Sequence, residues 1–193
     1  LTKPGEFQLE NGSSVTHDFM TMKKGEYLYY SDNSKQLIDL PYGNEQYSMT
    51  IVLPSGDNTL GQLMPELNAA NLNNWLENGT KRTWDLHMPK FKLEYEEVLN
   101  DMLTKLGMGV AFTGGANFGR MLEGRHNLAI SEVKHKTFVE VNEEGTEAAA
   151  VTSIGVEVTS MPPSIHINRP FVFLIREKSS GTILFIGKLM QPE

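Results

Sequence analysis

The five histidines, His17, His87, His126, His135 and His166, are the first residues to test for chemistry. Their spacing gives no H-E-x-x-H pair and no other short metal-binding set. Each is therefore read as an ordinary hydrogen-bonding position, and no metal site is assigned. The chain has 0 Cys, which removes thiol nucleophiles, disulfides and thiolate zinc sites together. No G-x-S-x-G turn, phosphate-binding glycine loop or EF-hand loop is present. Gly114-Gly115-Ala116-Asn117-Phe118-Gly119 has the wrong glycine spacing for a dinucleotide loop and no βαβ unit after it, so it reads as a connection. Glu96-Glu97 and Glu143-Glu144 read as solvated surface. Asn11-Gly12-Ser13 and Asn78-Gly79-Thr80 match the N-glycosylation pattern, which is short enough to arise by chance. Nothing in this set points to an enzyme or to a cofactor.

One segment has a pattern of a different kind. Glu143 to Pro163 reads E-E-G-T-E-A-A-A-V-T-S-I-G-V-E-V-T-S-M-P-P. Glycine, small residues and a Pro-Pro stop describe an exposed loop. Inside it runs a two-residue alternation. Thr146, Ala148, Ala150, Thr152, Ile154, Val156 and Val158 share one parity; none is charged, and bulk rises toward the end. Glu147, Ala149, Val151, Ser153, Gly155, Glu157 and Thr159 share the other, and both charges fall there. This is the pattern of a half-buried strand. Periodicity by itself favours a surface loop or an ordinary edge strand.

The elements around this segment read mostly as strands. Val15 to Met22, Tyr27 to Tyr30, Lys35 to Pro41 and Tyr47 to Pro54 are short, apolar and separated by polar turns, as in an antiparallel meander. Helices are expected over Thr59 to Leu67 and over Asn68 to Asn78, where Leu72, Trp75 and Leu76 keep helical spacing and Asn78-Gly79 supplies a C-cap. Lys81 to Leu93 puts Trp84, Leu86 and Met88 on one face. Phe91 and Leu93 fall on the other parity after Pro89, which predicts a bend or bulge there. Tyr95 to Leu106 reads as an amphipathic helix with Val98, Met102, Leu103 and Leu106 inward, ended by Gly107. A helical turn is expected at Phe118 to Leu122. Leu128 to Val141, Ile165 to Asn168, Pro170 to Ile175 and Thr182 to Met190 read as strands, the last two joined by a hairpin at Ser179-Ser180-Gly181. No repeat or linker divides the chain.

At 193 residues and 21.6 kDa, with 39% hydrophobic and 21% charged residues, the chain has a globular composition and the length of one domain or a large part of one. Its net charge of -7 speaks against nucleic acid and anionic membrane as partners. No apolar run reaches the ~18 residues of a membrane span, and Leu1 to Leu9 shows no signal-peptide pattern.

Several stretches together resemble the serpins, a family of suicide protease inhibitors. E-E-G-T-E-A-A-A, comprising Glu143, Glu144, Gly145, Thr146, Glu147, Ala148, Ala149 and Ala150, looks like the family's hinge. Ile165-His166-Ile167-Asn168-Arg169-Pro170-Phe171-Val172-Phe173-Leu174-Ile175 fits its C-terminal signature at every position. Leu40-Pro41-Tyr42 with Ser48 to Pro54 resembles the sheet B hairpin, and Ile183 to Lys188 the final strand. Order and spacing agree along the whole chain, but with only the C-terminal half of the family domain.

The resemblance implies an α+β, serpin-like fold over 1–193. It is expected to be built mainly of antiparallel sheets B and C with the later strands of sheet A and a few short helices, the N-terminal half of the fold being absent. It implies a reactive loop over about 143–163, offered to a protease as bait, cut, and then inserted as a strand into sheet A. The small uncharged parity then has a reason, since Thr146, Ala148 and Ala150 must enter a closed, packed sheet where a proline or charge would be costly. Thr146 to Thr159 would span roughly 46 Å at about 3.3 Å per residue. Counting along the family's loop puts the scissile bond at Thr159-Ser160, with Val158 as the bait residue if the count slips by one. Val156, Glu157, Val158 and Met161 are the neighbours. With no Lys or Arg among them, a trypsin-like target is disfavoured and an elastase-like one favoured.

The resemblance further places His135 at the sheet A shutter and Asn117-Phe118 in a motif before strand five. A plain hydrogen-bonding histidine and a turn asparagine remain the alternatives. The implied partners are a serine protease, or a cysteine protease, together with the N-terminal half of the same domain or a complementing chain. Neither nucleic acid nor membrane is expected, and the implied setting is outside the cytoplasm. Two other readings stand beside this one: a non-inhibitory serpin-fold binding or chaperone module, and an inactive self-associating fragment.

Overall fold

A computed structural model of the chain describes residues 2–121, 128–143 and 163–193. The described residues form two compact units, one within Leu1–Phe91 and Val141–Glu193 and the other within Lys92–Glu140.

The first unit is built on one sheet. Its strands are β1 (Thr2–Gln8), β2 (Ser14–Ser31), β3 (Lys35–Tyr42), β4 (Tyr47–Pro54), β5 (Thr80–Pro89), β8 (Ser164–His166), β9 (Phe171–Glu177) and β10 (Ile183–Leu189). The order is β10-β9-β4-β3-β2-β5-β8, with β1 also paired to β2. Consecutive strands β2, β3 and β4 pair antiparallel, as the turn residues between them predict. The exception to antiparallel pairing is β8, which lies parallel to β5.

Two strands expected from the sequence, Val15 to Met22 and Tyr27 to Tyr30, are one. β2 runs through 18 residues and is bent by a bulge between Met22 and Gly25. At that bulge Lys24 takes a φ of 52°, and its backbone N–H donates to Asp85 Oδ1 at 2.8 Å. Gly25 is required there, because a Cβ would stand 1.7 Å from the Tyr27 hydroxyl. Polar Lys23 and Lys24 concealed the continuity, since bulges accept residues that break the alternation.

β4 is buried at every position from Ser48 to Pro54, so its near-continuous apolar run marks a central strand rather than a half-exposed one. One core cluster joins Leu37, Val52, Val172 and Leu174 of the sheet to Leu60, Leu63, Leu72 and Trp75. The last four come from two helices, α1 (Leu60–Leu63) and α2 (Ala69–Glu77). Thr59 and Gln62 close a reciprocal capping box at the start of α1. The longer helix expected to Leu67 tightens into a 3-10 turn at Met64–Glu66, where Pro65 has no N–H to continue it. α2 matches its expected span and ends at Asn78, whose N–H reaches Asn74 O. On the same face of the sheet as this cluster, Arg176 Nε donates to Thr50 Oγ1 at 2.7 Å and its Nη2 to Asp39 Oδ1 at 3.0 Å.

The second unit contains most of the pair β6 (Phe91–Val98) and β7 (Lys134–Val141). The break between β5 and β6 falls at Lys90, beside the proline that predicted it. Tyr95 to Val98 is strand, not helix. Helix is confined to α3 (Asn100–Leu103), followed by a wide turn over Thr104–Met108 in which Gly107 takes a φ of 99°. Pairing of this segment with β7 takes the place of the helix. Glu96 of β6 pairs with Lys134 of β7 at 3.0 Å and also with Lys136, which a helix would forgo. Val98, Met102 and Leu106, expected inward, are exposed. The strand expected from Leu128 begins only at Lys134. Residues before it are held instead by the Asn100 side chain, which donates to Ser131 O at 2.9 Å and accepts from Val133 N–H at 2.8 Å. Among the described residues no helix is long and apolar enough to cross a membrane.

Candidate functional site

Glu144, Gly145, Thr146, Glu147, Ala148, Ala149, Ala150, Val156, Glu157, Val158, Thr159, Ser160 and Met161 lie outside the described residues. What the structure places is the frame on either side of them.

On the N-terminal side stands Glu143. Its carboxylate pairs with Lys90 Nζ at 2.8 Å and accepts from the Thr2 hydroxyl. Lys90 follows the last residue of β5, and its own backbone N–H donates to Asp18 O at 2.9 Å. Thr2 begins β1. The three residues come from separate parts of the chain; the pairing of β1, β2 and β5 brings Thr2 and Lys90 together, and Glu143 reaches them two residues beyond Val141. The hydrogen bond from Lys90, then that from Thr2, pulls the Glu143 carboxyl down to about 2. Glu143 is exposed, in keeping with its reading as solvated surface; its contacts with residues 2 and 90 have no local signal in the sequence.

On the C-terminal side Pro163 O accepts from Asp85 N–H at 3.1 Å, and β8 starts at the next residue. β8 sits in register with β5 as Asp85↔Ser164, Leu86↔Ile165 and His87↔His166. Ile167 N–H then donates to His87 O at 2.8 Å. The alternation Ile165, Ile167 carries the anchoring, with both side chains buried. Arg169 completes the anchor by donating from Nη1 to Gly56 O at 2.7 Å. Beyond it, Phe171 and Phe173 are fully buried and meet Phe91 at ring-centroid distances of 5.8 and 5.5 Å. Of the run that the sequence singled out from Ile165 to Ile175, Ile165, Ile167 and Pro170 to Leu174 are buried, whereas His166 is exposed.

His135 is exposed on β7. Thr137 Oγ1 lies 2.8 Å from its Nε2, and the Tyr95 ring meets it edge-on at 6.3 Å. Asn117 sits in a turn, where its Oδ1 accepts from Gly119 N–H at 3.3 Å. The sequence also treated the histidines as separate. The fold instead stacks His87 on His166, with ring centroids 4.4 Å apart. Positions 87 and 166 meet only through the parallel β5·β8 pairing, for which the sequence holds no short-range signal.

A helix-covered, mostly antiparallel sheet with a long bulged strand, a two-stranded pair and a few short helices make up an α+β fold among the described residues. The family model of the serpins (serine protease inhibitor) matches residues 1–192, and the chain belongs to that family. Serpin-Z4 of Hordeum vulgare is 37% identical over 203 residues, an alignment covering 99% of this chain and 50% of that protein. The leukocyte elastase inhibitor of Xenopus tropicalis is 38% identical over 197 residues, covering 99% and 52%. Among solved structures, mouse protein-Z dependent protease inhibitor superposes with a TM-score of 0.80 at 28% identity, over 100% of this chain and 50% of that one. Native protease nexin-1 with heparin superposes with a TM-score of 0.81 at 29% identity, over 99% and 52%. The chain spans about half the length of the relatives it matches and corresponds to the C-terminal half of the serpin domain.

Proposed function

We propose that the chain supplies the bait segment and its frame to a serpin-type protease inhibitor. The protease's nucleophile attacks the Thr159 carbonyl. An acyl bond forms to Thr159, and the Ser160 amine leaves with the proton. The neighbouring Val158 is the bait residue if the frame is offset by one. The freed segment, with its hinge Glu143 to Ala150, then inserts as a strand into sheet A before deacylation, as in the handful of known strand-addition devices. Thr159 and Ser160 are substrate groups here, and the protease supplies all catalysis. His135 occupies the shutter position where sheet A separates.

The observation that carries this reading is the uncharged parity from Thr146 to Val158, with both charges on the other face. Firm anchoring of both flanks supports it: Glu143 through Lys90 and Thr2, and β8 through Ile165 and Ile167. Val156, Val158 and Thr159 suit a pocket for small or branched residues, so the target is an elastase-like serine protease or a cysteine protease of similar preference. The inhibitor meets it outside the cytoplasm.

Insertion also requires the N-terminal half of the domain, in the same polypeptide or a complementing one. The apolar side chains Ile183, Leu184, Phe185 and Ile186 of the edge strand β10 are exposed among the described residues, which fits a surface that this half covers. The test is incubation of the complete domain with an elastase-like protease, followed by denaturing electrophoresis. A covalent complex is expected. Cleaved loop with fully active free protease would remove the proposal.

A further inference from the structure

His87 and His166 are stacked with their planes 7° from parallel and their centroids 4.4 Å apart. Each ring has one nitrogen beside a hydroxyl: Thr21 Oγ1 lies 3.0 Å from His87 Nδ1, and Ser164 Oγ lies 3.0 Å from His166 Nε2. Thr21 belongs to β2, so the pair is contacted from both sides of β5.

This arrangement does not suit a chelated metal. Imidazole lone pairs lie in the ring plane, and two nearly parallel stacked rings with centroids 4.4 Å apart give them no common point. What the pair can do is carry charge. Two neutral imidazoles stack comfortably, whereas two imidazolium ions at this separation repel, with exposed His166 and half-buried His87 partly screened by solvent. The ionisable groups acting on His87 are His166 from β8 and Asp85 from its own strand. From β2 the facing group is the neutral Thr21, and Asp85 already accepts from the Lys24 backbone N–H at 2.8 Å. Burial first, and the nearby His166 second, push the His87 imidazole below its ordinary range, against a weaker pull from Asp85.

The element this charge acts on is small. β8 has 3 residues, joined to β5 by the flanking backbone bonds Asp85 N–H to Pro163 O and Ile167 N–H to His87 O. A short strand with few ladder bonds opens more readily than the long strands beside it. We infer that the His87–His166 pair is a pH-responsive latch on β8: neutral rings hold the strand against β5, and placing charge on both rings loosens it. Because β8 directly follows residues 144–162, the latch governs the C-terminal anchor of that segment. It rests on the His87–His166 geometry and not on the inhibitory reading.

The test is amide hydrogen exchange at Ile167 in the full chain, corrected for the intrinsic pH dependence of exchange. Between about pH 7.5 and about pH 5.5 its protection should fall by several-fold, up to about tenfold. His166→Phe keeps a stacking ring without a charge and should show a weaker pH dependence, the part due to burial of His87 remaining. Equal pH dependence in the wild type and His166→Phe overturns the latch. Should this variant fail to fold, proton NMR titration of the two wild-type imidazoles decides: coupled, separated protonation steps are expected, and two independent titrations overturn it.

Discussion

Lys90 Nζ and a carboxylate oxygen of Glu143 lie 2.8 Å apart, which ties the end of β5 to the last described residue before the proposed bait segment. The hinge of that segment therefore begins from a fixed point. Glu143 also accepts from the Thr2 hydroxyl at the start of β1. The two donors together hold its carboxyl at about 2, well below the ordinary 4.5.

That depression has a definite pH signature. A carboxylate whose folded pKa is lowered stabilises the folded state above its unfolded pKa, and the contribution is lost as pH falls through the folded value. For Glu143 the window runs from the ordinary 4.5 down to about 2. Glu143→Gln should flatten the acid limb of the urea-unfolding profile across this window and leave the profile near neutrality unchanged in shape. An acid limb identical to wild type would show that the Lys90 pairing does not act on folding.

The Arg176–Asp39–Thr50 network is buried, with Arg176 at 8% and Asp39 at 4% exposure. Removing one partner leaves the other charge buried and unpaired, at a cost of about 3 kcal/mol or more. Arg176→Ala should lower unfolding stability by about that amount in urea titration. The double variant Arg176→Met with Asp39→Leu should recover much of the loss, since an apolar pair of similar volume avoids the desolvation cost. A double variant as unstable as the single one would mean that shape, not charge, dominates the site.

Tyr27 is buried, and its hydroxyl has no hydrogen-bond partner among the described residues. Burial foremost pushes its ionisation up to about 12. Tyr27→Phe removes a desolvated polar atom and should be neutral or stabilising by up to about 1 kcal/mol. Chemical denaturation that places it clearly below wild type would reveal a partner for the hydroxyl.

Within the bait segment, Thr146 falls on the small, uncharged parity. Thr146→Arg would require an unpaired charge to enter a packed sheet. In the complete domain it should turn the inhibitor into a substrate, read as cleaved loop replacing the covalent band on a denaturing gel. Undiminished covalent complex would remove the strand-insertion step.

The elements that the sequence placed best are those whose pattern is set by burial alone. The β2-β3-β4 meander, α2 with its Asn78 cap, and the β9–β10 hairpin at Gly181 follow from apolar runs and turn residues. Where a second influence competes, pattern misleads. Tyr95 to Val98 has helical spacing, yet Glu96 finds Lys134 and Lys136 across a strand pair, and strand wins. The β2 bulge hides one strand as two because Lys23 and Lys24 interrupt its alternation. The site divides in the same way. The hinge parity is local and legible, whereas the Glu143 anchor needs residues 2 and 90 and the histidine stack needs the β5·β8 register. Long-range pairing of this kind has no signature in a window of sequence.

The most direct measurement is the melting temperature of the complete domain before and after a single cut at Thr159-Ser160. Insertion of the freed segment as an added strand predicts that the cut molecule melts higher than the intact one. A cut molecule that melts at or below the intact one contradicts the account.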